Sequence, residues 1–82
     1  NYLKVSEFVW NEVPTGSKDG SNRDFTLANN PEANKHMVYL NGLLQEEGQD
    51  YSLSGSNVIQ FATDSIPQTG DKVIVSYLKD SV

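Results

Sequence analysis

An 82-residue chain with 37% apolar residues makes one domain with a small core, which leaves little volume for a deep substrate cleft. Six Lys and Arg against eleven Asp and Glu give a net charge of −5; the cations are scattered, which excludes the clustered basic footprint of a nucleic-acid binder and disfavours an anionic membrane surface. Without cysteine there are neither disulfides nor thiolate chemistry, and no apolar run approaches the ~20 residues of a membrane span.

The chain begins at Asn1 rather than Met, and is expected to be a piece of a longer protein. Residues 2–13 put apolar side chains on both faces of any strand: Leu3, Val5, Val9 and Val13 on one, Tyr2, Phe8 and Trp10 on the other. A strand in a thin sandwich buries one face only. A bulge that switches faces, a strand that crosses between sheets, or packing of Phe8 and Trp10 on another protomer or domain would each explain the pattern. Phe8 and Trp10 are therefore candidate interface residues.

The turn at Lys18-Asp19-Gly20-Ser21-Asn22 follows. Asp19, Asn22 and Asp24 there offer oxygen ligands of the kind Ca²⁺ takes. The spaced acidic positions and distal Glu of an EF-hand are missing, so an Asx-type turn is the default reading. Phe25 and Leu27 then alternate with Asp24 and Thr26, a short strand. Residues 30–34 read as a loop in which Pro31 could open a single helical turn.

Further on, Val38 and Leu40 share one strand face and Met37 and Tyr39 the other. Asn41-Gly42 carries the type I′ hairpin signature. Tyr51 and Leu53 lead through Ser54-Gly55-Ser56-Asn57 into Val58, Ile59, Gln60 and Phe61, a second hairpin. Pro67 and Gly70 mark a loop, and Val73, Val75 and Tyr77 alternate in a last strand over about residues 72–78. The expected fold is all-β: a small antiparallel β-sandwich of about seven strands, immunoglobulin-like or of another Greek-key topology, in a single domain over residues 1–82.

Chemistry finds little support. One histidine, His36, cannot assemble a zinc site and is expected to cap or edge a strand. Glu46, Glu47 and Asp50 lie in a turn, where a solvated loop is a better account than the opposed carboxylates of a glycosidase. No Gly-x-Ser-x-Gly elbow and no phosphate-cradling Gly-rich loop occurs. No catalysis and no cofactor is expected. Trp10 and Tyr39, which the pattern does not place inside, are candidate stacking residues for a sugar; Tyr51 and Tyr77 are assigned to the core.

In order, the chain runs Glu12-Val13-Pro14-Thr15-Gly16, Asp19-Gly20-Ser21-Asn22, Asp24-Phe25-Thr26-Leu27, Val38-Tyr39-Leu40-Asn41-Gly42-Leu43-Leu44-Gln45, Asp50-Tyr51-Ser52-Leu53-Ser54-Gly55, Ile59-Gln60-Phe61, Gly70-Asp71 and Val75-Ser76-Tyr77. This succession resembles a recurrent β-sandwich module in tail, fibre, neck and baseplate proteins of tailed bacteriophages. The resemblance covers residues 12–78 and leaves residues 1–11 as a connection or a specialised extra strand. It implies a virion location and a structural or attachment role, with other virion proteins or copies of itself as partners, and a host-surface glycan as the alternative partner. The matching residues are architectural: turns at Gly20, Gly42, Gly55 and Gly70, core at Phe25, Leu27, Tyr51, Ile59 and Phe61, and Asp50 bonding backbone amides before Tyr51.

Overall fold

The computed structural model describes residues 7–79, apart from the side chains of Ala33 and Asn34. Seven strands are present there: β1 (Glu7–Glu12), β2 (Asp24–Thr26), β3 (Pro31–Leu40), β4 (Leu43–Leu44), β5 (Tyr51–Ser54), β6 (Val58–Phe61) and β7 (Val73–Lys79). They form two antiparallel sheets, one in the order β1-β7-β3-β4 and the other β2-β6-β5. The fold is a small all-β sandwich.

Local sequence builds the hairpins. Asn41 and Gly42 both take positive φ, 54° and 82°, as a type I′ turn demands, and β3 returns as β4 with Leu40 opposite Leu43. Ser54-Gly55-Ser56-Asn57 turns β5 into β6, with Tyr51 opposite Phe61. Asn57 then fastens β2: the Leu27 N–H donates to its carbonyl at 2.8 Å, and its side-chain amide donates to the Leu27 carbonyl at 2.9 Å.

Period-two patterning fills the space between the sheets. Val38, Val73, Val75 and Tyr77 from the larger sheet meet Phe25, Tyr51, Ile59 and Phe61 from the smaller, with Leu27 just beyond β2, in one buried cluster. Phe25 and Phe61 meet edge to face, ring centroids 5.5 Å apart, a favoured aromatic geometry. Gly16 is required by close approach. A Cβ there would stand 2.6 Å from the Phe25 ring and 2.8 Å from the Asp24 carbonyl.

Three expectations need correction. Residues 30–34 do not form a loop: β3 starts at Pro31, the first residue of the strand, where proline withholds no needed ladder bond. A register irregularity separates Pro31 from His36 along β7. His36 neither caps nor edges a strand; it lies within β3 opposite Tyr77 with its side chain 1% exposed. Val13 does not share the inward face of Val9, being 65% exposed, because the face alternation is broken just before it.

That break is a bulge in β1. Val9 lies opposite Tyr77 and Glu12 opposite Val75, so Trp10 and Asn11 together oppose Ser76. Asn11 adopts φ of 53°, a left-handed conformation that Asn tolerates, and its N–H donates to the Ser76 hydroxyl at 2.9 Å. Leu3, Val5 and Tyr2 lie outside the described residues. Residues 7–11 are part of the larger sheet as its edge strand.

Candidate functional site

In the larger sheet, Val9, Val38, Val75 and Tyr77 point into the core, so their neighbours in sequence point outward. Phe8 stands opposite Leu78, Met37 opposite Ser76, and Tyr39 between Ile74 on β7 and Leu44 on β4. The outward face of this sheet therefore carries Phe8, Trp10, Met37, Tyr39, Ile74 and Leu78. Trp10 is 70% exposed, and its ring rests against Phe8 with centroids 4.4 Å apart and planes tilted by 54°. The Tyr39 hydroxyl lies 3.9 Å from the Met37 sulfur. An antiparallel sheet ordinarily presents alternating polar residues to solvent; here that face is apolar.

Within the face, Phe8, Met37 and Leu78 line a groove of about 300 Å³, with Lys35 and His36, from the same strand as Met37, completing its wall. That volume is at the lower limit of small-molecule sites, and the lining is apolar with one cation. The smaller sheet has a depression of about 140 Å³ lined by Arg23, Gln49, Ser52 and Gln60, below that range. Arg23 is already committed, its Nε–H donating to the Phe61 carbonyl at 2.7 Å.

The structure brings Phe8 and Trp10 together and sets Tyr39 on the same face. Tyr39 is two strands and about two residues away from Trp10, roughly 12 Å at the backbone from ordinary sheet spacings. Its neighbours are Met37, Ile74 and Leu44 rather than the amides and carboxylates that orient a sugar. Met37, Leu78 and Lys35 were missed by sequence reasoning. Their signal was available: β7 and β3, like residues 2–13, alternate apolar residues on both faces, with Ile74 and Leu78 against Val75 and Tyr77.

Around Asp19, the carboxylate accepts the Ser21 and Asn22 N–H groups, each at 2.9 Å. The Asn22 and Ser21 amides hold its pKa below the usual carboxylate value. Asn22 donates to the Ser17 and Asp24 carbonyls, and Asp24 accepts from the Gln60 amide at 2.9 Å. Asp19, Asn22 and Asp24 thus spend their polar atoms on the Asx-type turn and its flank. Among the described residues no group of three or more His, Cys, Asp or Glu is placed to hold a metal ion, and no helix is long and apolar enough to cross a membrane.

Glu46, Glu47 and Asp50 form a tight turn. The Glu46 N–H donates to the Asp50 carboxylate at 2.9 Å and the Asp50 N–H to the Glu46 carbonyl at 2.8 Å. Glu47 faces inward enough for its Oε1 to stand 3.6 Å from His36 Nε2. His36 Nδ1 lies 2.9 Å from the Tyr51 hydroxyl. Burial first, and then the Glu47 charge, push the Tyr51 phenol up to about 12. Tyr51 therefore keeps its proton and shares one hydrogen bond with His36, whose Nε2 is buried without a hydrogen-bond partner. The trio is a core polar pair with a carboxylate nearby.

Comparison with family models, curated proteins and solved structures returned no match.

Proposed function

We propose that this chain is a structural or attachment module of a tailed-bacteriophage virion, in a tail, fibre, neck or baseplate protein, working by protein–protein contact and without catalysis. The observation that carries this reading is the outward face of the larger sheet, where exposed Trp10 and Met37 adjoin half-buried Phe8, Tyr39, Ile74 and Leu78. A contiguous apolar surface on a small acidic domain is the mark of a contact site, and aromatic and Met side chains are the types enriched there. The resemblance of residues 12–78 to virion modules supplies the setting. The turn-dense sandwich, stabilised by local hairpins, suits a repeated structural part.

Adhesion to a host-surface glycan is favoured by one observation, the exposed Trp10 on the same face as Tyr39. It is the weaker reading, because Phe8 is tilted against Trp10 and the surrounding side chains are apolar.

Radical footprinting of Trp10 and Met37 tests the choice. The two side chains are expected to be labelled in the isolated chain and shielded in virions that carry the full-length protein, while a glycan array stays silent. Unchanged labelling in virions, together with a glycan that quenches Trp10 fluorescence, would establish the adhesive reading instead.

A further inference from the structure

Asn41 is the one asparagine of the chain that a glycine follows. Gly42 has no side chain to shield its amide, and nothing stands within 4 Å of where a Cβ would lie. Among the described residues no hydrogen bond holds the Gly42 N–H. Such a pair can react with itself. The Gly42 nitrogen, losing its proton to base, attacks Asn41 Cγ; the Cγ–Nδ2 bond breaks and ammonia leaves, closing a succinimide. Water then opens the ring at Cγ to give aspartate, or at the backbone carbonyl to give isoaspartate.

The fold opposes this reaction by holding both ends of the side-chain amide. Asn41 Nδ2 donates to Asp71 Oδ1 at 3.0 Å, and Asn41 Oδ1 accepts the Lys72 N–H at 2.9 Å. The Asn41 N–H is held as well, donating to the Lys72 carbonyl at 2.8 Å. Attack has to rotate the amide, pyramidalise Cγ and free Nδ2 as the leaving group. The bonds to Asp71 and Lys72 must break before any of that happens, so the reaction waits on local opening of the turn.

We infer that Asn41-Gly42 is a guarded deamidation site: the bonds to Asp71 and Lys72 keep the amide unreactive in the folded chain, and reaction there opens the β3–β4 edge irreversibly. Either product undoes the guard. Aspartate at position 41 has no N–H to give Asp71 and sets a second carboxylate beside it, a like-charge contact in place of a hydrogen bond. Isoaspartate also adds a methylene to the main chain, for which a two-residue type I′ turn has no place. β4 is two residues long and pairs with β3 alone. The Gln45 N–H continues its ladder by donating to the Val38 carbonyl at 2.8 Å, so the pairing depends on the turn.

The test incubates the chain in mildly alkaline buffer and reads, by peptide mass spectrometry, the amide-to-acid mass increment on the peptide spanning Asn41. Isomerisation at Asp19-Gly20 carries no such increment. The folded parent is expected to react more slowly than the same chain in urea. Asp71→Ala, which removes one of the two side-chain bonds, should react about fivefold faster than the folded parent. Ile59→Val, a buried change in the other sheet, controls for general loosening and should leave the rate as it is. A folded rate equal to that in urea, or an Asp71→Ala rate no higher than that of Ile59→Val, overturns the guard. The deamidated fraction of the parent, separated by its extra negative charge, is expected to exchange the Gln45 N–H faster than the intact chain in hydrogen exchange followed by NMR. Unchanged protection there overturns the opening of the edge.

Discussion

His36 occupies the interior because its ring pairs with Tyr51 there, at the expense of leaving Nε2 without a bond. Removing the Tyr51 hydroxyl leaves Nδ1 buried and unpaired as well, a loss of about 1–3 kcal/mol. Tyr51→Phe is therefore expected to lower the unfolding free energy measured by urea denaturation by that amount, while in a His36→Leu background the same change costs nothing further. Equal losses in the two backgrounds would show that the pair is not coupled. Two surface carboxylates act on the pH dependence. Backbone amides hold Asp19 below its ordinary pKa of 3.8, and the Gln68 amide followed by the Asn41 side chain does so for Asp71. A folded-state pKa below the unfolded value means that the stability is present above the unfolded pKa and is lost as pH falls through the folded one. Urea midpoints measured from pH 5 to pH 2 should fall less steeply for Asp19→Asn/Asp71→Asn than for the parent.

At the level of the strand, the two asparagines with positive φ act differently. Asn11 makes the β1 bulge, which returns Glu12 to the inner side, where it accepts from the Tyr77 hydroxyl, and sets Trp10 outward opposite Ser76. Asn41 closes the β3–β4 hairpin and also ties it to the approach of β7. Its N–H donates to the Lys72 carbonyl at 2.8 Å, its amide to Asp71 at 3.0 Å, and its carbonyl oxygen accepts the Lys72 N–H at 2.9 Å. Asn41→Gly keeps the turn conformation and loses the side-chain bonds; Asn41→Ala loses both. Chemical denaturation is expected to place the glycine variant about 1 kcal/mol below the parent and the alanine variant a further ~1 kcal/mol below it. Equal values would mean that φ at this position does not matter.

For the whole molecule, a thin sandwich of this size has two sheet faces directed away from its one core, and the larger sheet leaves its outer face apolar. Trp10 makes that face observable. In the dilute chain its emission is expected at the red, water-exposed end with ready quenching by acrylamide, and a blue shift with loss of quenching should accompany rising concentration. Emission that is blue-shifted and protected at the lowest concentration would mean that the indole is already covered within a single molecule.

Local rules made much of this protein legible in the sequence. Alternation over Phe25–Leu27, Val38–Leu40, Tyr51–Leu53, Ile59–Phe61 and Val73–Tyr77 identified the strands and the core residues, since a strand with one buried face requires a period of two. Asn41-Gly42 and Ser54–Asn57 identified the hairpins, since positive φ is a property of single residues. The two-faced pattern around Phe8 and Trp10 was visible as well, though its cause was not. Strand order, the bulge opposite Ser76, the passage of β3 back to Pro31 and the burial of His36 beside Tyr51 depend on partners 15 to 65 residues away. The groove joins Phe8 to Lys35, Met37 and Leu78 from three strands. Only pairing between distant segments decided those, because the same alternation is compatible with many strand orders and the tertiary contacts select one.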